Sequence, residues 1–129
     1  MSGSSIYVRR TDCRRRATPI ALVVIEADQL TPDERTALAL LTSRVATALL
    51  SNPKQGDLAR LCQERGCTLD QTAVIATTPQ GLPLLLEATV ALTLRGAGYE
   101  NEAAADVVFQ PRSRGGLAAA IEYACRLVA

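Results

Sequence analysis

The residues that could do chemistry stand just after three apolar runs of this 129-residue chain. Glu26 and Asp28 follow the run Ile20 to Ile25, Ser51 and Lys54 follow Val45 to Leu50, and Thr77 and Thr78 follow Ala73 to Ala76. Lys54 is the only lysine present. With Ser51 it stands near a predicted helix start, where free backbone N–H groups favour an anion. A plainer reading stays open for each: Glu26 and Asp28 as loop acids after a strand, and Lys54 as a solvated residue at the start of a helix. The chain has no histidine. That removes Ser-His and Cys-His nucleophiles, histidine general bases and histidine metal ligands together.

The alternation of short apolar runs with helical patterns after residue 17 argues for βα units and a parallel sheet. A first strand is predicted near Ile20 to Ile25. Thr31-Pro32-Asp33-Glu34 opens a helix, with Thr31 as N-cap, Pro32 at the first position and Glu34 completing a capping box. That helix runs to about Leu41, and a second strand lies near Val45 to Leu50. The next helix, Gln55 to Arg65, stops at Gly66 and buries Leu58, Leu61 and Cys62. Strands are predicted at Ala73 to Ala76, Thr89 to Leu94 and Asp106 to Phe109, with helices at Gln80 to Leu86 and Leu117 to Leu127. The expected fold is α/β, a three-layer Rossmann-like domain with a mainly parallel five-stranded sheet. In such sheets the ligand sits beyond the carboxyl ends of the strands, where the six residues named above stand.

Hydrophobic residues make up 48% of the sequence, with one Phe and no Trp, so aliphatic side chains must build one core. No apolar run approaches the roughly 20 residues that span a bilayer. Met1 to Ser5 lacks the charged-then-apolar order of a signal peptide, so a cytoplasmic location is expected. Cys13, Cys62, Cys67 and Cys125 form no C-x-x-C pair, which reads as reduced structural thiols rather than a zinc or redox site. Residues 1–17 form a basic arm in which Arg9, Arg10, Arg14, Arg15 and Arg16 face Asp12 alone, ahead of a domain at 18–129 that is net acidic. The arm lacks interleaved aromatics for base stacking, which argues against nucleic acid. It reads as a solvated tail, or as an arm that docks on an acidic neighbouring subunit. Arg112 and Arg114, flanking Ser113 before Gly115-Gly116, could help grip an anion, but read more readily as solvent-facing loop charges.

Several segments resemble the haloacid dehalogenase (HAD)-like superfamily. Leu22-Val-Val-Ile-Glu-Ala-Asp-Gln-Leu-Thr31 is similar to its first strand and D-x-D-G-x-L-T signature. Lys54-Gln-Gly-Asp-Leu-Ala-Arg-Leu-Cys-Gln-Glu-Arg-Gly-Cys-Thr68 resembles the helix that carries the family's lysine, and Thr72-Ala-Val-Ile-Ala76 the strand before its acidic motif. Glu102-Ala-Ala-Ala-Asp-Val-Val108 and Gly115-Gly-Leu-Ala-Ala-Ala-Ile-Glu122 resemble the closing strand, glycine turn and helix. The resemblance spans about residues 20–128. It is nearest to the cap-free branch that holds 3-deoxy-manno-octulosonate 8-phosphate phosphatase and the C-terminal domains of acylneuraminate cytidylyltransferases. Relative to that branch, a segment between Thr31 and Ser51 is missing.

The resemblance implies roles and losses. Glu26 takes the place of the aspartate that attacks phosphorus and binds magnesium, with one methylene more; a shift of about 1 Å can cost roughly 100-fold in rate. Asp28 matches the general acid, Gln29 replaces the signature glycine, Lys54 matches the lysine that neutralises phosphate, and Ser51 its Ser/Thr phosphate ligand. Where the family has a G-D-D-x-x-D-like run, this chain has Ala76-Thr-Thr-Pro-Gln-Gly81, so Thr77 and Thr78 stand in place of metal-binding acids. Magnesium is held by carboxylates plus substrate phosphate. The expectation is therefore a degenerate, non-catalytic relative without a metal, serving as an assembly, partner-binding or phosphorylated-ligand-binding domain. The branch implies a homo-oligomer, a tetramer. The alternative is an active small phosphatase acting on a phosphorylated sugar or similar ester, with magnesium and Glu26 as its ligand.

Overall fold

Runs of β-branched and aliphatic residues too short for helices pair as strands, and the computed structural model describes them over residues 6–8 and 19–128. The strands are β1 (Ile6–Val8), β2 (Leu22–Glu26), β3 (Ala46–Leu50), β4 (Thr72–Ala76), β5 (Val90–Leu94) and β6 (Val107–Phe109). The helices are α1 (Pro32–Thr42), α2 (Asp57–Arg65), α3 (Leu82–Glu87), α4 (Tyr99–Ala104) and α5 (Gly116–Val128). They form one sheet in the order β1-β6-β5-β4-β2-β3. The five strands expected from the sequence are mutually parallel. A sixth strand was not expected. β1 comes from the segment read as a basic arm and pairs antiparallel with β6, Tyr7 opposite Val108. The arginines at 9–16, and Cys13 with them, lie outside the described residues.

Every residue of β2, β4 and β5 is buried, as a parallel sheet covered on both faces requires. Side chains alternate across the strands. Val23, Ile25, Ile75, Leu92 and Phe109 pack against Ala37 and Leu41 of α1 and Leu117, Ala120 and Ile121 of α5. On the opposite face, Leu22, Val24, Val74 and Ala91 meet Leu58 and Cys62 of α2 and Leu84 and Leu85 of α3. The edge strand β3 is half-buried, with Leu49 exposed. Among the described residues, no helix is long and apolar enough to cross a membrane.

The local signals in the sequence account for most helix boundaries. Thr31 caps α1: its hydroxyl accepts the Glu34 amide at 3.3 Å, and its own amide donates to Glu34 Oε1 at 2.9 Å. The helix anticipated from Gln80 is split, with a 3₁₀ turn at Pro79–Gly81 leading into α3. α4 was not anticipated. It is six residues long and buries only Asn101, so it has no apolar stripe to reveal it.

Candidate functional site

Strand register sets the site. Glu26, the last residue of β2, lies level with Leu50 of β3 and Ala76 of β4. The loops at 27–31, 51–56 and 77–81 therefore leave three adjacent parallel strands at one level, and all six candidate residues stand at this edge. The structure sorts them into separate clusters.

Glu26 is 3% exposed, and its carboxylate turns across to the loop after β4. Oε1 accepts the amide N–H groups of Thr77 at 2.8 Å and Thr78 at 2.9 Å, and Oε2 accepts the Thr78 hydroxyl at 2.7 Å. The Thr77 hydroxyl donates to the Glu26 main-chain carbonyl at 2.8 Å. This loop leads into a helical turn whose free N–H groups would suit any anion; here the anion is a side chain of the protein itself. A Cβ at position 81 would stand 2.8 Å from Glu26 Oε1 and 2.5 Å from the Ala76 Cβ. Gly81 thus leaves the room that the carboxylate occupies. From the far side, buried Asn101 donates to the Thr78 carbonyl at 2.7 Å, and the Thr93 hydroxyl to the Ala76 carbonyl at 2.9 Å.

Asp28 is exposed and accepts the Ser51 hydroxyl at 2.5 Å. These two residues, on neighbouring loops, are brought together. Lys54 is exposed; its amide donates to Asp57 Oδ2 at 2.8 Å, and its carbonyl accepts the Asp57 amide at 3.0 Å. Lys54 therefore lies on the Ser51 loop without a hydrogen bond to Asp28, Ser51 or Glu26.

Arg112 is not the solvent-facing charge that the sequence suggested. It lies on the 3₁₀ turn at Arg112–Arg114, and its guanidinium grips Glu34 with two bonds, Nε to Oε2 at 3.0 Å and a terminal nitrogen to Oε1 at 2.8 Å. The same terminal nitrogen donates to the Gln29 carbonyl. A forked pair of this kind is among the stronger side-chain contacts. It ties the loop after β2 to the loop after β6. Arg112 holds the Glu34 carboxyl below its ordinary value near 4.5, against the opposing effect of burial and with help from Thr31. Glu34, Glu26 and Asp28 together raise the Arg112 pKa, so this guanidinium is a cation felt across the site. Arg114 is exposed. Sequence reasoning found the Glu34 cap but not its ion pair with a residue 78 positions away. Asn101 gave no signal at all.

By sequence, the chain matches no protein-family profile and no curated protein. Solved structures do share its architecture. A protein assigned to the HAD hydrolase family, from Streptomyces avermitilis, superposes with TM-score 0.64 at 15% identity, over 84% of this chain and 90% of that one. The 3-deoxy-D-manno-octulosonate 8-phosphate phosphatase of Moraxella catarrhalis, solved with a magnesium ion and a phosphate ion, gives 0.61 at 14%, over 90% and 91%. The cobalt-bound deoxy-D-mannose-octulosonate 8-phosphate phosphatase of Haemophilus influenzae gives 0.56 at 17%, over 83% and 86%. The fold is thus that of the HAD-type hydrolases, and the resemblance read from the sequence agrees with it.

Two expectations follow. Glu26→Ala strands the Thr77 and Thr78 amides and should lower stability in urea unfolding by about 2–3 kcal/mol, whereas Asp28→Ala should change it by less than about 0.5 kcal/mol. Equal, small effects would show that Glu26 is not an anchor. The depressed Glu34 pKa contributes stability that is full above its unfolded value, near 4.5, and is lost as pH falls through the lower folded value. Urea midpoints measured from pH 6 to about pH 3 should therefore fall more for the wild type than for Arg112→Ala. Parallel curves would contradict the pairing.

Proposed function

We propose that this chain is a non-catalytic relative of the HAD-type phosphatases, kept as an assembly, partner-binding or phosphorylated-ligand-binding domain. The observation that carries the reading is the engagement of buried Glu26, whose carboxylate oxygens accept two amides and a hydroxyl from Thr77 and Thr78. A nucleophile needs a lone pair aimed at phosphorus. Freeing this one leaves three donors unpaired, at about 1–3 kcal/mol for each that stays buried. The residue at the attacking position is therefore held in a structural role.

The same geometry speaks against magnesium. The ion takes oxygen ligands in near-octahedral geometry and is usually bound through carboxylates. Here the positive ends of two N–H groups point at the oxygen that would face it, and the neighbouring side chains are the hydroxyls of Thr77 and Thr78. Asp28 is engaged with Ser51. Among the described residues, no group of three or more His, Cys, Asp or Glu converges on a metal position. The residues present do not fit the metal of the phosphatases that this chain resembles.

Exposed Lys54 and the Ser51 hydroxyl beside it in sequence are the features that support a phosphorylated ligand at the strand ends. The resemblance supports a homo-oligomer, a tetramer, which would bury exposed side chains such as Leu40, Leu49 or Leu86; the cytoplasmic location rests on the sequence alone. Light scattering that finds only monomers at micromolar concentration removes the assembly part of this reading. The alternative, an active phosphatase of altered metal chemistry, draws on the fold shared with metal-bound phosphatases and on exposed Asp28. Fold alone does not confer the activity. A panel of phosphorylated sugars with magnesium, manganese or cobalt should show no turnover above a protein-free control. Turnover abolished by Glu26→Ala and by Asp28→Ala would establish the alternative instead.

A further inference from the structure

Helix α2 ends at Gly66, whose φ of 73° lies in the left-handed region. The chain then doubles back, and the Cys67 amide donates to the Cys62 carbonyl at 3.0 Å. A bond spanning five residues across a left-handed glycine marks a Schellman motif, in which the side chains at the two bonded positions frequently meet. In this chain both positions are cysteine. Both are free, Cys62 buried and Cys67 half-buried. Both line a surface cavity of about 530 Å³, open between α2 and the turn at Thr68 and Leu69, through which a small reagent can reach them.

We propose that Cys62 and Cys67 form an oxidation site, closed to an intramolecular disulfide by a hydroperoxide. A disulfide needs its Cβ atoms about 3.5–4.5 Å apart, and the turn folds residue 67 back onto residue 62 through a 3.0 Å main-chain bond. Exposure sets the order of events. The Cys67 thiolate attacks an oxygen of the hydroperoxide; the O–O bond breaks, the alcohol or water leaves, and Cys67 becomes a sulfenic acid. The Cys62 sulfur then attacks the Cys67 sulfur. The S–S bond forms, the S–O bond breaks, and the released hydroxide leaves as water with the Cys62 proton. The balance is two thiols and one hydroperoxide giving one disulfide, one water and one alcohol (or a second water). Burial first, then the Cys67 contact and the charge of Glu87, push the Cys62 thiol up to about 11, so it is the poorer nucleophile for the first step.

The product clamps the end of α2 to the turn that leads into β4. Sequence spacing disguised the pair, because C-x-x-x-x-C is neither a redox C-x-x-C nor a zinc knuckle. Only the glycine between them brings the thiols together.

The test treats the folded full-length chain with hydrogen peroxide, alkylates remaining thiols under denaturing conditions and digests with trypsin. Cleavage after Arg60, Arg65 and Arg95 separates the two cysteines. The expected product is therefore peptide 61–65 joined to peptide 66–95, lighter by two hydrogens than the reduced pair and released by dithiothreitol, with Cys125 still alkylated. In Cys62→Ser the linked peptide should vanish, and Cys67 should be trapped by dimedone as the sulfenic acid. Full alkylation of Cys62 and Cys67 after peroxide would overturn the proposal. So would Cys67 joined to Cys13 or to a second chain, or carried to sulfinic acid with Cys62 still a thiol.

Discussion

Two neighbouring parallel strands end level at Glu26 and Ala76, and the Glu26 carboxylate spans the gap by accepting the amides of Thr77 and Thr78. Much of the carboxyl edge of the sheet is arranged around this contact. Gly81 has no side chain because the carboxylate fills that space. Asn101 turns a six-residue helix toward the Thr78 carbonyl, and Thr93 holds Ala76 from the next strand. Each buried polar group in the cluster finds its partner in another member, and such a network is costly to open at any one point. Glutamate suits the position because its additional methylene carries the carboxylate across to the next loop.

On the proposed reading, this contact also bears on the chemistry. In a metal-dependent phosphoryl-transfer site, a cation draws acids on separate loops together and neutralises the charge of the transferring group. Here the two loops are joined directly, by donors meeting a carboxylate. A second link is equally local: Arg112 binds Glu34 and the Gln29 carbonyl, fixing the loop that carries Asp28. Asp28, Ser51 and Lys54 remain exposed at the rim. On the proposed reading this exposed rim is the part left to meet a ligand, while Glu26 serves as framework.

The scaffold was legible in the sequence where local rules suffice. Burial on both faces marks β2, β4 and β5 as apolar runs, and Thr31, Pro32 and Glu34 announce α1 before any tertiary contact is known. The short β1 at the sheet edge and the polar α4 carry no comparable pattern. Within the site, the acid-free loop at 77–81 and the displaced acid at Glu26 were visible as separate losses. Their connection was not, since residues 51 positions apart meet only through strand register. Arg112 was read first as solvated for the same reason: an arginine beside a glycine turn looks so until the Glu34 carboxylate that it grips is placed against it. Cys62 and Cys67 lie close in sequence, yet their pairing depends on a left-handed glycine rather than on a recognised spacing.

The central claim is that the Glu26 carboxylate, held by the Thr77 and Thr78 donors, serves the framework rather than a metal or a phosphate. Crystals of the chain soaked with magnesium and phosphate test it most directly. The account predicts Glu26 still bound to the Thr77 and Thr78 amides, with no octahedral ion beside it. An ion coordinated by Glu26, its carboxylate turned away from those amides toward Asp28, would contradict it.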